Sequence, residues 1–365
     1  MSQPGEIHLK QQPEGALKGR GTAANPKVRF ERASREAFDD GWDLPDDASP
    51  PQTALIRDAT RSIIARNDSP DIGFDRSINP YRGCEHGCVY CFARPSHAYL
   101  GFSPGLDFET KIVFKPQAPA LLEQELSKPG YTARPIVLGS NTDPYQPVER
   151  RLQITRGILE VLERCNHPLV IITKSAGVLR DADILGRMAR RNLARVFLSI
   201  TTLNAELARA MEPRAASPAR RLDAIARLTR EGILTGVMAA PMIPGLNDME
   251  MERILAAGAG AGAVAAGFTL LRLPLELGGL FTEWLETHVP ERAQHVLSLI
   301  RQMRGGKLNE ADFHARFTGQ GPYAAMLNQR FARAARQYGL AREKPGLDVT
   351  RFVPPAGPGR QLSLF

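Results

Sequence analysis

Gly83-Cys84-Glu85-His86-Gly87-Cys88-Val89-Tyr90-Cys91 is the stretch on which the reading of this chain turns, because it sets three thiols at CxxxCxxC spacing. Its glycines let the backbone wrap closely around a bulky object. Four cysteines in 365 residues do not make a disulfide scaffold, so thiols this concentrated point to metal and to a reducing, cytoplasmic setting. Three thiolates satisfy three irons of a [4Fe–4S] cube and leave the fourth iron open for a ligand that is not a protein side chain. Two alternatives stand beside that reading: a structural zinc site completed by His86 or Cys165, and an electron-transfer cluster completed by Cys165. Zinc prefers two separated pairs of ligands, and Cys165 lies beyond a predicted helix and strand, where it reads as a small buried hydrophobe.

Outward from this loop, short apolar runs alternate with longer amphipathic ones. Residues 77–81, 135–139, 169–173, 196–201, 234–240 and 267–271 read as buried parallel strands. Helices are predicted between them over 148–164, 182–191, 218–231 and 249–257, each long enough for a strand-to-strand crossover. The repeated strand–helix order implies an α/β fold with a helix-covered parallel sheet, either open or curled into part of a barrel. Beyond residue 290 the pattern turns helical, over 292–303 and 323–338. In the second of these helices Leu327, Phe331, Ala334 and Tyr338 share one face, while Arg330, Arg333 and Arg336 lie off it.

The first fifty residues, rich in Gly, Pro and charge, read as a disordered leader. The expected organisation is a leader over 1–55, a core over 56–290, a basic helical extension over 291–343 and a flexible tail over 344–365. Residues 301–365 hold eleven Lys or Arg against four Asp or Glu, nearly all of the chain's net charge of +8. The uncharged stretch 255–271 is broken by four glycines, so no membrane span is expected.

CxxxCxxC with an aromatic residue, here Tyr90, before the last cysteine resembles the signature of the radical S-adenosylmethionine (radical SAM) superfamily. The wider context, Ile78-Asn79-Pro80-Tyr81-Arg82-Gly83-Cys84 through Cys91-Phe92-Ala93-Arg94, is similar to the branch that includes the spore photoproduct lyases. The resemblance covers roughly residues 70–275 and implies a partial (β/α)6 TIM-like barrel with a helical C-terminal extension and disordered termini. It also implies a [4Fe–4S] cluster on Cys84, Cys88 and Cys91, and S-adenosylmethionine on the open iron. The resulting 5′-deoxyadenosyl radical abstracts hydrogen from a substrate, suspected to be DNA in repair-type lyase chemistry. A reductant protein such as flavodoxin or ferredoxin is implied as a partner. In such enzymes SAM contacts come from the carboxyl ends of successive strands, which nominates Tyr90, Asn141, Asp143, Lys174, Ser199 and Thr201 here. Arg214, in Met211-Glu212-Pro213-Arg214, is the nominated anion partner, its plain alternative being a surface pair with Glu212. RNA, a protein side chain or a small molecule is the alternative substrate, and a non-catalytic iron–sulfur protein the alternative class.

One departure limits the likeness. Photoproduct lyases carry a hydrogen-donating cysteine in the loop after the second strand, where this chain has Ser140 and Asn141; either another donor serves, with Tyr145 and Cys165 as candidates, or the substrate and reaction differ. The carboxy-terminal Gln361-Leu362-Ser363-Leu364-Phe365 resembles the pentapeptide with which bacterial replication and repair proteins dock on the DNA sliding clamp. In that mode Leu364 and Phe365 fill an apolar pocket, Leu362 a smaller one, and Gln361 meets a polar rim.

Overall fold

The computed structural model describes residues 9, 17–30, 52–340 and 346–355. Six strands, β1 (Arg76–Ile78), β2 (Ile136–Leu138), β3 (Leu169–Thr173), β4 (Ala194–Ser199), β5 (Leu234–Met242) and β6 (Ala265–Leu270), lie side by side in chain order and run parallel. Ile64–Arg66 adds an antiparallel strand outside β1. This is the parallel sheet expected from the strand–helix alternation, in the partial (β/α)6 barrel form that the resemblance implies. The register aligns Leu138 with Ile171, Thr173 with Leu198, and Ser199 with Met238, so the carboxyl ends of β2 to β5 form one rim. A second, three-stranded sheet of Ala54–Arg57, Lys111–Phe114 and Tyr81–Arg82 flanks the cysteine loop.

The crossover helices are α1 (Ile154–Arg164), α2 (Ala182–Ala189), α3 (Pro218–Arg230) and α4 (Met251–Gly260). In α1, Ile154, Ile158, Leu159 and Leu162 recur at helical spacing and are all buried. Ser217 caps α3 by accepting from the Arg220 N–H at 3.4 Å, with Pro218 in the first turn. The single helix predicted over 148–164 is instead broken at Gln153, whose φ is +51°. The break lets the buried Glu149 carboxylate turn back to accept from the Thr155 N–H at 3.1 Å while also taking the Tyr81 hydroxyl and Arg180. A hydrophobicity pattern cannot register that cap, because Glu149 looks like any helix-surface acid.

The carboxy-terminal helices are α5 (Leu277–His288), α6 (Pro290–Gln302) and α7 (Gly321–Gln337). α5 was not anticipated from the sequence. Phe281, Trp284, Val296 and Ile300 of α5 and α6 form a core continuous with Val89 and Tyr90 of the cysteine loop. In α7, Leu327 and Ala334 are buried and Phe331 stacks on Phe268 at 4.6 Å. Arg333 and Arg336 face solvent as expected, whereas Arg330 pairs with Glu252 at 2.7 Å.

Two stretches assigned by composition to the leader and the tail are ordered. Residues 17–30 run beside the cysteine loop: the Gly21 and Thr22 N–H groups donate to the Glu109 carboxylate at 2.9 and 3.1 Å, and Ser103 Oγ donates to the Pro26 carbonyl at 2.7 Å. Residues 346–355 cross the amino-terminal edge of the barrel, where Val353 N–H donates to the Cys165 carbonyl at 2.9 Å and Phe352 packs 5.4 Å from both Tyr131 and His167. Specific partners for a few residues outweigh a composition poor in apolar surface. Gln361, Leu362, Leu364 and Phe365 lie outside the described residues. Among the described residues no helix is long and apolar enough to cross a membrane.

His97 and His167 are both fully buried, and burial lowers each imidazole to about 4. The unfolded chain then binds protons that the folded chain refuses, so the stability they contribute is complete above pH 6.5 and is lost as pH falls toward 4. The loss amounts to about 3 kcal/mol for each histidine. Urea midpoints measured across that range should fall less for His167→Gln than for the wild type; identical profiles would remove His167 from the account.

Candidate iron–sulfur and SAM site

The cysteine loop leaves β1 through Asn79-Pro80 and is fastened on every side. Cys84 N–H donates to the Phe108 carbonyl at 2.9 Å, and Val89 N–H to the Met211 carbonyl at 3.0 Å, at the end of the short helix Ala205–Met211 that follows β4. Gln146, beyond β2, holds the loop twice: its Oε1 accepts from Glu85 N–H at 2.9 Å and its Nε2 donates to the Gly83 carbonyl at 3.2 Å. Gly87 sits at φ +69°, and a side chain on Gly21 would overlap the Gly87 carbonyl at 1.7 Å. The amino-terminal segment therefore closes one side of the cradle, and only glycine fits at the closest approach.

Beneath the loop lies a buried ion pair that the sequence reading missed. Arg94 and Glu109, both fully buried, meet at 2.6 Å. Arg94 Nε also donates to the Cys88 carbonyl at 2.9 Å, and its Nη1 to the Gly105 carbonyl at 2.9 Å. Its position three residues after Cys91 was the available signal, but nothing in the chain marked Glu109 as its partner.

Cys84 and Cys88 are buried and Cys91 is half-buried. Burial pushes the Cys84 thiol well above its ordinary range, with Asp143, Cys88 and Cys91 adding to the effect. Burial likewise raises Cys88, with Glu212 and Cys91 adding and Lys174 opposing. The three thiols thus lie within electrostatic reach of one another, and a cationic centre is what lets such a group ionise together. Among the described residues no three His, Cys, Asp or Glu side chains group closely enough to ligate one metal ion. A cube spreads its thiolates over separate irons and makes no such demand. His86 turns toward Asp143, 3.4 Å away, and Cys165 lies at the opposite end of β3, so neither is placed to complete a zinc site. The glycine-lined cradle and its three electrostatically coupled thiols fit a cluster.

The nominated SAM contacts gather on the rim formed by the strand ends, but several are already engaged. Asp143 accepts from Thr173 Oγ1 and Lys174 N–H, each at 2.7 Å, and from Tyr145 N–H at 2.9 Å, tying the ends of β2 and β3 to the loop through His86. Asn141 is anchored by its N–H to Asn79 Oδ1 at 3.0 Å. Ser199 Oγ and Thr201 Oγ1 both donate to the Ala240 carbonyl, at 2.9 and 3.2 Å, bracing β4 against β5. Asn247 Nδ2 adds a tie to the Thr201 carbonyl at 2.7 Å. Lys174 differs: its Nζ lies 5.6 Å from the Tyr90 ring centroid, and no carboxylate comes within 4.0 Å of it among the described residues. It is a cation on the rim suited to an anionic ligand.

A second buried network was not foreseen. The Tyr90 hydroxyl meets Thr201 Oγ1 at 3.0 Å and donates to Glu212, whose other oxygen takes Arg221. Arg221 Nη1 continues to the Ser199 carbonyl at 2.8 Å. Glu212 is therefore fully buried and bound to Arg221, which corrects the surface pairing with Arg214. Arg214 instead lies 3.3 Å from Glu85, at the edge of the cysteine loop, and its backbone N–H donates to the His86 carbonyl at 3.2 Å. As for the substitute hydrogen donors, Tyr145 is fully buried beside Arg180, and Cys165 is separated from the rim by the length of β3, roughly 16 Å.

Comparison with known proteins places this architecture. The radical SAM superfamily model matches residues 78–257. An uncharacterized protein of Mycobacterium tuberculosis is 35% identical over 270 residues, spanning 73% of this chain and 76% of the relative. An uncharacterized protein of Methanocaldococcus jannaschii is 31% identical over 173 residues, covering 47% of this chain and 62% of its own. Among solved structures, spore photoproduct lyase complexed with dinucleoside spore photoproduct superposes with a TM-score of 0.56 at 17% identity, over 78% of this chain and 79% of that one, a likeness of fold. By its family match the chain belongs to the radical SAM superfamily, whose members use a [4Fe–4S] cluster and S-adenosylmethionine.

Proposed function

We propose that Cys84, Cys88 and Cys91 hold the cluster, that SAM lies on the rim of strand ends beside Tyr90, and that the substrate is DNA, acted on in lyase-like repair chemistry in a reducing cytoplasm. The observation that carries this is the Lys174 ammonium at the end of β3, 5.6 Å from the ring of Tyr90 in the cysteine loop and with no carboxylate within 4.0 Å among the described residues. When bound, cluster and SAM together supply a 5′-deoxyadenosyl radical able to abstract hydrogen from a substrate. The residues do the rest by position. Lys174 offers charge to the carboxylate of SAM, with Arg214 as a more distant cation already shared with Glu85. Asn141, Ser199 and Thr201 set the polar lining of the rim, and Asp143 keeps the ends of β2 and β3 in register with the loop. The cores on both sides of the loop keep water from the reacting centre.

One observation supports DNA and a second supports a nucleic acid over a protein side chain or a small molecule. The fold neighbour was solved with a dinucleoside photoproduct, and the positive charge of this chain is concentrated in residues 301–365. A flavodoxin or ferredoxin is the proposed electron source, and the pentapeptide Gln361 to Phe365 the proposed sliding-clamp ligand, whose removal should abolish clamp binding in a titration. The central test is anaerobic: reconstituted protein, dithionite and SAM, assayed for 5′-deoxyadenosine with and without ultraviolet-damaged DNA. Release stimulated by damaged DNA is the expected result. A reduced, intact cluster that releases none would sink the enzyme reading in favour of electron transfer, and DNA-independent release would sink the DNA reading alone.

A further inference from the structure

Beside the cysteine loop, five side chains alternate ring and guanidinium. Phe92, next to Cys91, faces Arg272, whose guanidinium carbon is 5.6 Å from that ring and 4.9 Å from Phe317. Arg316 then lies 4.9 Å from Phe317 and 4.9 Å from Phe313. The ladder spans three parts of the fold. Phe92 belongs to the cysteine loop, Arg272 follows the end of β6, and the remaining three come from the segment between α6 and α7. That segment is held in place by the buried Arg304, which donates to the Leu271 carbonyl at 2.7 Å and to the Ala315 and Arg316 carbonyls at 2.8 and 2.9 Å.

The two cations are not equivalent. Arg316 is neutralised by Asp71 through contacts of 2.5 and 2.7 Å. Arg272 has no carboxylate within 4.0 Å among the described residues, and its buried Nε has no hydrogen-bond partner. Both ends of the ladder are open: Phe92 is 47% and Phe313 53% exposed. Exposed rings interleaved with an unpaired guanidinium are what an unstacked nucleic-acid strand needs, a flat face for each base and a fork of donors for the phosphate between.

We infer that this ladder is the docking edge for a single-stranded segment of DNA, with Arg272 binding a backbone phosphate and Phe92 and Phe313 stacking bases. Damaged or unpaired bases are thereby led from the surface toward the residue adjoining Cys91. The inference rests on the DNA reading above. An acidic protein segment is the competing occupant, since it would satisfy Arg272 but gain nothing from the rings.

The test is fluorescence anisotropy of a labelled single-stranded oligothymidylate on the full-length, cluster-loaded protein, comparing wild type with Arg272→Gln and Phe313→Ala. Each variant should bind about fivefold to a hundredfold more weakly. Arg272→Gln should also lower the slope of log affinity against log salt by about 0.7, the share of one phosphate contact on a single strand. Iron content reports whether each variant has folded, and if Arg272→Gln fails, the exposed Phe313→Ala decides. Wild-type affinity in the folded variants overturns the ladder while leaving the DNA reading intact. No binding by the wild type overturns both, and displacement by polyaspartate as readily as by unlabelled oligonucleotide reduces the ladder to a general anion patch.

Discussion

Replacing any one of Cys84, Cys88 or Cys91 with alanine is expected to abolish the intact [4Fe–4S] centre, seen as loss of iron and of its broad visible absorption after anaerobic reconstitution. The expectation is severe because the loop has no spare ligand. His86 is turned to Asp143 at 3.4 Å, and the fourth cysteine is at the far end of β3. Cys165→Ala is the control. Burial and the neighbouring Glu123 raise its thiol to about 11, with Arg164 opposing, and it packs in the main core, so its removal should cost some stability and leave the iron untouched. Iron lost from Cys165→Ala would instead return the four-cysteine ligation to consideration.

Arg94→Met should be the most damaging change outside the cysteines. It strands the fully buried Glu109 carboxylate without its guanidinium partner, leaving the Gly21 and Thr22 donors on it. Breaking a buried pair in this way costs about 3–5 kcal/mol. It also frees the Cys88 carbonyl, which Arg94 Nε holds at 2.9 Å, so a poorly retained cluster should accompany the lower urea midpoint. Pairing it with Glu109→Gln closes a double-mutant cycle. If the double variant is no more stable than the sum of the two singles predicts, the ion pair is not what holds the loop.

The six parallel strands were legible because buried β-branched and aliphatic runs such as Leu169–Thr173 have no other environment to suit them. Helix ends were recovered to within a few residues wherever an apolar stripe defined the helix. Where a polar group or a distant contact decided the matter, the pattern was silent: the helix break at Gln153 depends on where Glu149 points, and α5 completes its core with the cysteine loop as well as with α6. Residues 17–30 and 346–355 were misjudged for the same reason, since a handful of specific contacts ordered them without a hydrophobic run.

What the sequence determined by itself was the chemistry available: three thiols at a spacing that suits a cube, an aromatic residue beside the last of them, and polar residues at the strand ends. Only the tertiary structure decided which of those polar residues are structural and which are free. Asp143, Ser199, Thr201 and Glu212 are spent on bonds between neighbouring strands and the loop, while Lys174 and Arg272 have no carboxylate within 4.0 Å among the described residues. The physical reason is that a buried polar group must be matched by a partner from elsewhere in the chain. The identity of that partner depends on distances across the barrel that no local stretch of sequence encodes.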